Sequence, residues 1–361
     1  MKRNIITIFT ILILLISFSS VSGINSPIDE VKKLKSPSKG VYLGAYPDFG
    51  GYEDLVTSKK LADFKKLTGS SIAWAAFSDN WGKSKIIFPA KSVQIIHNAG
   101  IVPYIRLMPR SSFEESYSRP DPVYSLDNII NGKFDPQLKK WARAAKKSNI
   151  PLIIDFAPEM NGNWFPWSGS INGAGTKNKY GNPKIADGPE KYRDAYRHII
   201  NIFRQEKVTK VTWVFHVDAY NTPEKSWNNY QEYYPGDNYI DWVGVSTYGA
   251  QTPDEDWETF NQVMSFSYPK LIKVSSKKPL AILEFGVTEK GNKKAKWIAD
   301  ALTSIKKGRY SRIKAISYWH ENWKNEDGST SRLRLDSSKN VLNTYKNQIK
   351  SSFFVKKAVF A

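Results

Sequence analysis

The sequence predicts a single-domain α/β fold, a (β/α)8 TIM barrel. Three observations predict it: short apolar runs alternate with longer helical patterns, there are eight such runs, and carboxylates and aromatic residues follow several of them directly. Regular alternation of strands and helices is typical of a parallel sheet, and eight units close a barrel. A chain of 361 residues is long enough to bury one large core of this kind.

Each predicted strand is a short run rich in apolar and β-branched residues, bounded by polar or turn-forming residues. The eight runs are Val41 to Tyr46, Ser71 to Phe77, Ile101 to Leu107, Pro151 to Phe156, Val211 to His216, Trp242 to Ser246, Leu280 to Phe285 and Lys314 to Trp319.

Helices are predicted between these runs from apolar residues at helical spacing. The clearest follows Asp187-Gly188-Pro189, where Asp187 or Gly188 is expected to cap it, and it places Tyr192, Tyr196, Ile199 and Phe203 on one face. The others are Leu55 to Leu67, Gln137 to Lys147, Trp257 to Val274, Lys293 to Ile305 and Asn340 to Ile349.

The N-terminal residues differ in composition from the predicted catalytic barrel domain, residues 40–361. Lys2 and Arg3 precede an apolar run, and small residues follow up to Gly23, a pattern typical of a secretory signal peptide at residues 1–23. Residues 24–39 are rich in Ser, Pro and Lys and are expected to be a linker. We therefore expect a secreted protein, with an uncleaved membrane anchor as the alternative.

Composition limits the function classes. The absence of cysteine excludes disulfides, a thiol nucleophile and thiolate metal sites. The net charge of +19 is spread along the chain, which favours a solvated basic surface with at most weak association with an anionic cell wall. No nucleic-acid motif is present, so we expect no nucleic-acid partner, and we expect a monomer. The 12 tryptophans favour stacking on sugar rings, and hence a polysaccharide partner.

Two glutamates are the candidate catalytic residues. Glu159 follows the fourth strand, and Glu284 ends the seventh within the apolar segment Leu280 to Gly286. Strand ends meet at one face of a barrel, and a retaining glycosidase needs two carboxyl groups about 5–5.5 Å apart. The plain alternatives are an ion pair for Glu284 and backbone capping for Glu159. Burial of a charge without a compensating partner is costly, and this cost favours a functional role for Glu284.

Other polar residues at strand ends are interpreted as structural or as part of the rim: Asp79, Asp155, Asp218 and Glu321. His216 and His320 also end strands, but their spacing does not match a metal-binding motif, so no metal and no cofactor is expected. No G-x-S-x-G serine motif is present.

Several segments, taken in order, resemble glycoside hydrolase family 26. They are Glu159-Met160-Asn161-Gly162 with Trp164, then Tyr234-Pro235-Gly236-Asp237, Tyr248-Gly249, Glu284-Phe285-Gly286 and Trp319. The resemblance implies that Glu159 is the general acid/base and Glu284 the nucleophile, with Tyr248 beside it.

The resemblance also implies that Trp164 and Trp319 line the subsite of the sugar under attack. We expect Asn161 and His216 to bind substrate too. Trp81, Trp167 and Trp323 fit core packing and subsite roles equally well.

The sequence departs from the family pattern at positions that concern specificity. Pro158 and Asp155 stand where mannan-cleaving members typically carry His and Arg, and Ser246 stands where Asp is frequent. We therefore expect a retaining endo-β-glycanase that prefers β-1,3-1,4-glucan. Endo-β-1,4-mannanase and β-1,3-xylanase activity are the alternatives within the family. A non-catalytic glycan-binding or cell-wall-binding protein is the alternative from another class.

Overall fold

The computed structural model describes residues 31–82, 86–113, 119–325 and 327–361. The expected signal peptide therefore lies outside the described residues. Within the described ranges, no helix combines the length and hydropathy that a membrane span requires.

The described residues confirm the predicted TIM barrel, because eight parallel strands form one sheet in chain order and the last pairs with the first. Five residues of each of these two strands are in register, from Tyr42 opposite Ala315 to Tyr46 opposite Trp319. The barrel strands are β1 (Val41–Tyr46), β2 (Trp74–Asn80), β3 (Val102–Met108), β4 (Leu152–Phe156), β5 (Val211–Asp218), β6 (Trp242–Tyr248), β7 (Leu280–Gly286) and β8 (Ile313–Trp319).

Helices surround this barrel and cover its outer face. In the described part of the chain they are α1 (Ser58–Thr68), α2 (Ala90–Asn98), α3 (Leu126–Ile130), α4 (Asp135–Ser148), α5 (Asp187–Gln205), α6 (Tyr230–Tyr233), α7 (Phe260–Val274), α8 (Lys294–Lys306) and α9 (Lys339–Ile349). The sequence patterns did not predict α2, α3 and α6, which are nine, five and four residues long.

In the described ranges, three short strands lie outside the barrel. The hairpin of β9 (Asn322–Lys324) and β10 (Thr330–Arg332) follows β8, and β11 (Phe354–Val355) pairs in parallel with the start of β1.

The apolar face that the sequence predicts for helix α5 is buried in the core. Tyr192, Tyr196, Ile199 and Phe203 are buried, as their spacing predicts. The two tyrosine hydroxyls donate to the carbonyls of Phe156 and Val214 at 2.9 and 2.7 Å, so buried hydroxyls have partners. The expected cap is different, because α5 begins at Asp187 after Ala186, and Asp187 accepts from Thr176 Oγ1 at 2.6 Å.

The described part of the expected linker packs against the barrel. Leu34 is buried and forms an isolated antiparallel bridge with Phe360, and Lys33 Nζ lies 2.9 Å from Asp241 Oδ2. The backbone N–H of Leu34 donates to Thr212 Oγ1 at 2.8 Å, at the start of β5. The described residues of the expected linker, from Val31 onward, therefore belong to the same compact unit as the barrel.

Strand register places polar side chains in a layer near the C-terminal ends of the strands. Ser78, Arg106 and Asp155 are aligned across β2, β3 and β4. Between β6 and β7 the register shifts after Val245, so that Ser246 pairs with Glu284 instead of Leu283. A bulge of this kind redirects a side chain, and here it brings a carboxylate of β7 beside Ser246.

Candidate active site

A cleft of about 870 Å³ opens at the C-terminal ends of the barrel strands. Its lining includes Glu159, Trp164, Tyr248, Glu284 and Trp319, five of the seven residues that the sequence singled out as site residues. The cleft therefore lies on the face where functional residues of this fold are found.

The loop after β4 holds Glu159 in an unusual backbone conformation. Ala157 and Glu159 have φ values of +50° and +58°, on either side of Pro158. A left-handed non-glycine residue costs about 1–3 kcal/mol and persists only where neighbours enforce it. The Glu159 N–H donates to the His216 carbonyl at 2.9 Å, and Trp167 Nε1 donates to the Pro158 carbonyl at 2.7 Å. These bonds fix the direction of the Glu159 side chain.

Both carboxylate oxygens of Glu159 accept hydrogen bonds. Trp164 Nε1 donates to Oε2 at 2.9 Å, and Ser246 Oγ donates to Oε1. Gly162 makes the first contact possible, because a Cβ at that position would lie 2.5 Å from the Trp164 ring. A small residue is therefore required where the indole folds back over the loop.

Glu284 is buried in β7 and is held by two side chains. Tyr248 donates to Oε2 at 2.7 Å, and Arg106 Nε lies 3.2 Å from Oε1. Among the described residues, no group makes a well-aligned hydrogen bond to Oε1. Burial raises the pKa of Glu284 to about 7, while Arg106 acts in the opposite direction and Glu159 reinforces the rise. Burial and the adjacent Glu284 also raise the pKa of Tyr248, so that its hydroxyl stays a donor.

Arg106 organises one wall of the cleft, and the sequence interpretation missed it. Its guanidinium pairs with Glu53 and Glu284 and lies 4.9 Å from the centroid of the Trp319 ring. A charged residue inside the apolar run of β3 was the available signal, by the same reasoning that singled out Glu284. Glu53 lies in the loop after β1 and had no comparable signal.

Glu159, Glu284 and His216 come close together. One carboxylate oxygen of each glutamate and one ring nitrogen of His216 all lie within 4.8 Å of one another. These are donor types that a metal could use. However, both ring nitrogens of His216 are occupied, by Asp155 Oδ2 at 2.7 Å and Ser246 Oγ at 2.8 Å. Metal binding here would break one of these buried hydrogen bonds.

Some of the candidate tryptophans line the cleft, and the others lie in the core. Trp164 and Trp323 are partly exposed in the cleft, and Trp319 lines it although only 4% of its surface is exposed. Tyr46 stacks on Trp319 with 4.1 Å between ring centroids, and Trp319 Nε1 donates to Glu321 Oε2 at 3.0 Å. Trp81 and Trp167 are core residues.

Asn161 and His216 differ from expectation, because neither lines the cleft. The Asn161 amide donates to the carbonyls of Asp218 and Tyr220 at 3.0 and 3.1 Å and accepts from the Asp218 N–H, so it ties the β4 and β5 loops together. His216 is fully buried beneath Glu159. Asn161 lies in the loop after β4 and His216 in β5, and the side chains of both bind other protein groups.

The other candidate carboxylates lie in two kinds of environment, either buried outside the cleft or in the cleft lining. Asp79 accepts from Trp141 Nε1 at 2.9 Å behind the barrel wall, and burial raises its pKa to about 7. Asp155 is fully buried below the cleft. Asp218 and Glu321 line the cleft, in agreement with a rim position.

Replacement of Glu284 by Gln is expected to stabilise the fold above pH 7. The raised pKa of Glu284 means that between about pH 4.5 and 7 the native state binds a proton that the unfolded state has lost, so the wild type loses stability as pH rises through this window. The neutral amide avoids this penalty, worth about 1–3 kcal/mol. Thermal unfolding from pH 4 to 8 should show equal stability at the acid end and a higher Tm for Glu284→Gln at pH 8. A lower Tm at pH 8 would contradict the burial argument.

Comparison with known proteins places this site in a family. A model described as Glycosyl hydrolase family 26 matches residues 112–325. Endoglucanase H of Acetivibrio thermocellus is 27% identical over 355 residues, which cover 97% of this chain and 34% of that protein. Mannan endo-1,4-beta-mannosidase A and B of Caldalkalibacillus mannanilyticus is 23% identical over 295 residues, covering 76% of this chain and 52% of that protein.

A solved structure shows the same fold. A β-mannanase from Bacteroides ovatus superposes with a TM-score of 0.61 at 17% identity, covering 88% of this chain and 90% of that one. The chain spans only a third to a half of the two sequence relatives named above. The family model nevertheless covers more than half of the sequence, including both the Glu159 loop and β7. The resemblance inferred from the ordered segments is therefore confirmed, and the chain belongs to glycosyl hydrolase family 26.

Proposed function

We propose that the protein is a retaining endo-β-glycanase that acts by double displacement. The observation that carries this proposal is the pair of buried carboxyl groups, Glu159 and Glu284, whose nearest oxygens lie within 4.8 Å in an open cleft. Retaining glycosidases hold their two carboxyl groups about 5–5.5 Å apart, whereas inverting enzymes need about 6.5–9.5 Å to admit a water molecule.

In the first step, Glu284 attacks the anomeric carbon, the bond from that carbon to the leaving oxygen breaks, and Glu159 donates its proton to that oxygen. In the second step, Glu159 takes a proton from water, which attacks the same carbon and releases Glu284. Two inversions leave the product in the β configuration. Arg106 and Tyr248 orient Glu284 and favour its ionised form, which the attack requires.

The charge of the cleft favours a neutral polysaccharide. Eight carboxylates and three cationic side chains are found among the described residues that line it, although the whole sequence carries a net charge of +19. Repulsion between these carboxylates and an acidic polysaccharide would oppose binding. The basic outer surface is consistent with weak association of a secreted monomer with an anionic cell wall, which we include in the proposal.

We favour β-1,3-1,4-glucan as the substrate. The relative that matches 97% of the chain is named an endoglucanase, and Pro158 and Ser246 depart from the pattern of mannan-cleaving members. Endo-β-1,4-mannanase activity is the second candidate, because two matching relatives are named mannan endo-1,4-beta-mannosidases.

A reducing-sugar screen tests the proposal, with mixed-linkage β-glucan, β-mannan, cellulose, β-1,3-xylan, and the same β-glucan oxidised at C6 to glucuronate. We expect long oligosaccharides to appear early from mixed-linkage β-glucan, and at least about tenfold slower hydrolysis of its oxidised form. Hydrolysis of mannan alone would favour the second candidate. Binding of these glycans without any hydrolysis would contradict the proposal and favour a non-catalytic glycan-binding protein.

A further inference from the structure

Three buried side chains below the cleft form a continuous hydrogen-bonded series that ends on Glu159. They are Asp155 of β4, His216 of β5 and Ser246 of β6, each with 0% of its surface exposed, and together we call them the buried triad. Asp155 Oδ2 lies 2.7 Å from His216 Nδ1, and His216 Nε2 lies 2.8 Å from Ser246 Oγ. Ser246 Oγ in turn contacts Glu159 Oε1.

Counting hydrogens determines the direction of this series. An ionised Asp155 is only an acceptor, so Nδ1 of His216 carries a hydrogen. Ser246 has one hydroxyl hydrogen, which it donates to Glu159 Oε1. The 2.8 Å contact between Ser246 and Nε2 therefore needs a second imidazole hydrogen. With Ser246 donating to Oε1, His216 is an imidazolium that is paired with Asp155. A neutral His216 would need Ser246 to donate to Nε2 and Glu159 to carry its proton on Oε1.

The two carboxylate oxygens of Glu159 have different surroundings. Oε1 faces Ser246, which is fully buried, whereas Oε2 accepts from Trp164, which lines the cleft. Only Oε2 is on the side from which a glycan could approach. If the acid proton were on Oε1, it would point at Ser246 and away from the cleft.

We propose that Asp155, His216 and Ser246 are positioning residues that keep Oε1 of Glu159 permanently occupied as an acceptor, so that Glu159 gives and takes its proton at Oε2. This inference rests on the proposed function. In the first step the Oε2 proton moves to the leaving oxygen, and in the second a water proton returns to Oε2. The hydrogens of the buried triad stay in place throughout, because Oε1 accepts from Ser246 in both protonation states of Glu159.

The electrostatic surroundings agree with an imidazolium. Burial alone would lower the pKa of His216, but Asp155, Glu284 and Glu159 together raise it above its ordinary value. Arg106 of β3 and Asp218 at the end of β5 are the other charged groups near these carboxylates, and Tyr104 of β3 donates to Asp155 Oδ2 at 3.0 Å. Carboxylates outnumber cations around the imidazole, so its positive charge is stabilised.

Two variants break the series without enlarging any side chain. Ser246→Ala removes the donor to Oε1. Asp155→Asn removes the counter-ion, so that His216 becomes neutral, Ser246 turns its hydroxyl toward Nε2, and Oε1 loses its donor although no atom beside Glu159 has changed. Tyr104→Phe is the matched control, because it removes a hydrogen bond from the same oxygen of Asp155 without interrupting the series.

Both variants are expected to lower kcat/KM on polysaccharide by about 10- to 100-fold, since a misplaced proton donor loses much of its effect. The basic limb of the pH profile should move up by about one unit, because loss of a neighbouring cation and donor favours the protonated acid. The same loss acts on Glu284, so the whole profile moves in one direction. On 2,4-dinitrophenyl glycosides, whose leaving group needs no proton, the loss in kcat/KM should be small. Tyr104→Phe should keep the wild-type profile.

Equal losses at every pH and on both types of substrate would show a merely structural role and overturn the proposal. Nitrogen-15 spectra of labelled histidine give a readout that does not depend on activity. The ring of His216 should be doubly protonated at pH 7.5 in the wild type and neutral in Asp155→Asn. A neutral His216 in the wild type overturns the inference alone, whereas an inactive wild type contradicts the proposed function.

Discussion

Replacement of Glu284 by Ala is expected to lower kcat/KM for polysaccharide hydrolysis by about 10⁴-fold or more, because it removes the carboxylate that we propose forms the covalent intermediate. Binding of the glycan should remain, since the aromatic residues of the cleft, Trp164, Trp319 and Trp323, are untouched. Initial rates of reducing-sugar release give the first quantity, and affinity electrophoresis in gels that contain the glycan gives the second.

Glu321→Gln is a suitable comparison, because Glu321 is a half-buried carboxylate of the cleft whose pKa is raised to about 8 by its surroundings, chiefly by desolvation. Glu321 contacts Trp319 and is not one of the two proposed catalytic residues, Glu159 and Glu284. We therefore expect Glu321→Gln to lose at most about tenfold in kcat/KM. Unchanged activity in Glu284→Ala, or equal losses in the two variants, would show that burial of a carboxylate in this cleft does not identify the nucleophile.

The barrel was predictable because each strand is buried on both sides and reads as a continuous apolar run. Glu284 could be recognised for the same reason, because it is a charged residue within such a run. Arg106 is likewise a charged residue within the apolar run of β3. A charged side chain in a buried strand needs an opposite charge. The two residues form an ion pair at 3.2 Å.

The direction of side chains was not predictable from strand position alone. Asn161 lies in the loop after β4 and His216 in β5, both next to the cleft, yet both side chains bind other protein groups. Strand register and the irregularity between β6 and β7 decide which face each residue occupies, and neither leaves a mark in the local sequence. The positive φ of Glu159, a non-glycine residue, is equally invisible in the sequence.

Contacts around Glu159 explain the departures from the pattern of mannan-cleaving members at Pro158 and Asp155. The sequence places no imidazole directly before Glu159, but the structure brings one from β5, and the Glu159 N–H donates to the carbonyl of that same His216. Asp155, which stands where an arginine is typical of mannan-cleaving members, is hydrogen-bonded to Nδ1 of this imidazole at 2.7 Å. The changes at both positions are thus parts of one arrangement around Glu159.

Replacement of Glu159 by Ala should give an effect that depends on the leaving group. Loss of the acid should lower kcat/KM on polysaccharide by about 10²–10⁴-fold, the range of general acid catalysis. With a 2,4-dinitrophenyl glycoside the first step needs no proton, so the glycosyl-enzyme should form and then accumulate, because no base activates water for the second step. Mass spectrometry should detect this intermediate on the peptide that contains Glu284.

Azide distinguishes loss of the base from loss of the fold. As an anion it needs no deprotonation, so it should restore turnover of the dinitrophenyl glycoside by Glu159→Ala and yield a glycosyl azide of β configuration. In Glu284→Ala, azide can enter the space left by the carboxylate and displace dinitrophenolate directly, so that any azide product there has the α configuration. Trp164→Phe is the matched control: it removes the donor to Glu159 Oε2 but leaves the acid, so azide should not accelerate it. A glycosyl azide of α configuration from Glu159→Ala would require single displacement. That result would contradict the retaining mechanism that we infer from the short distance between the two carboxyl groups.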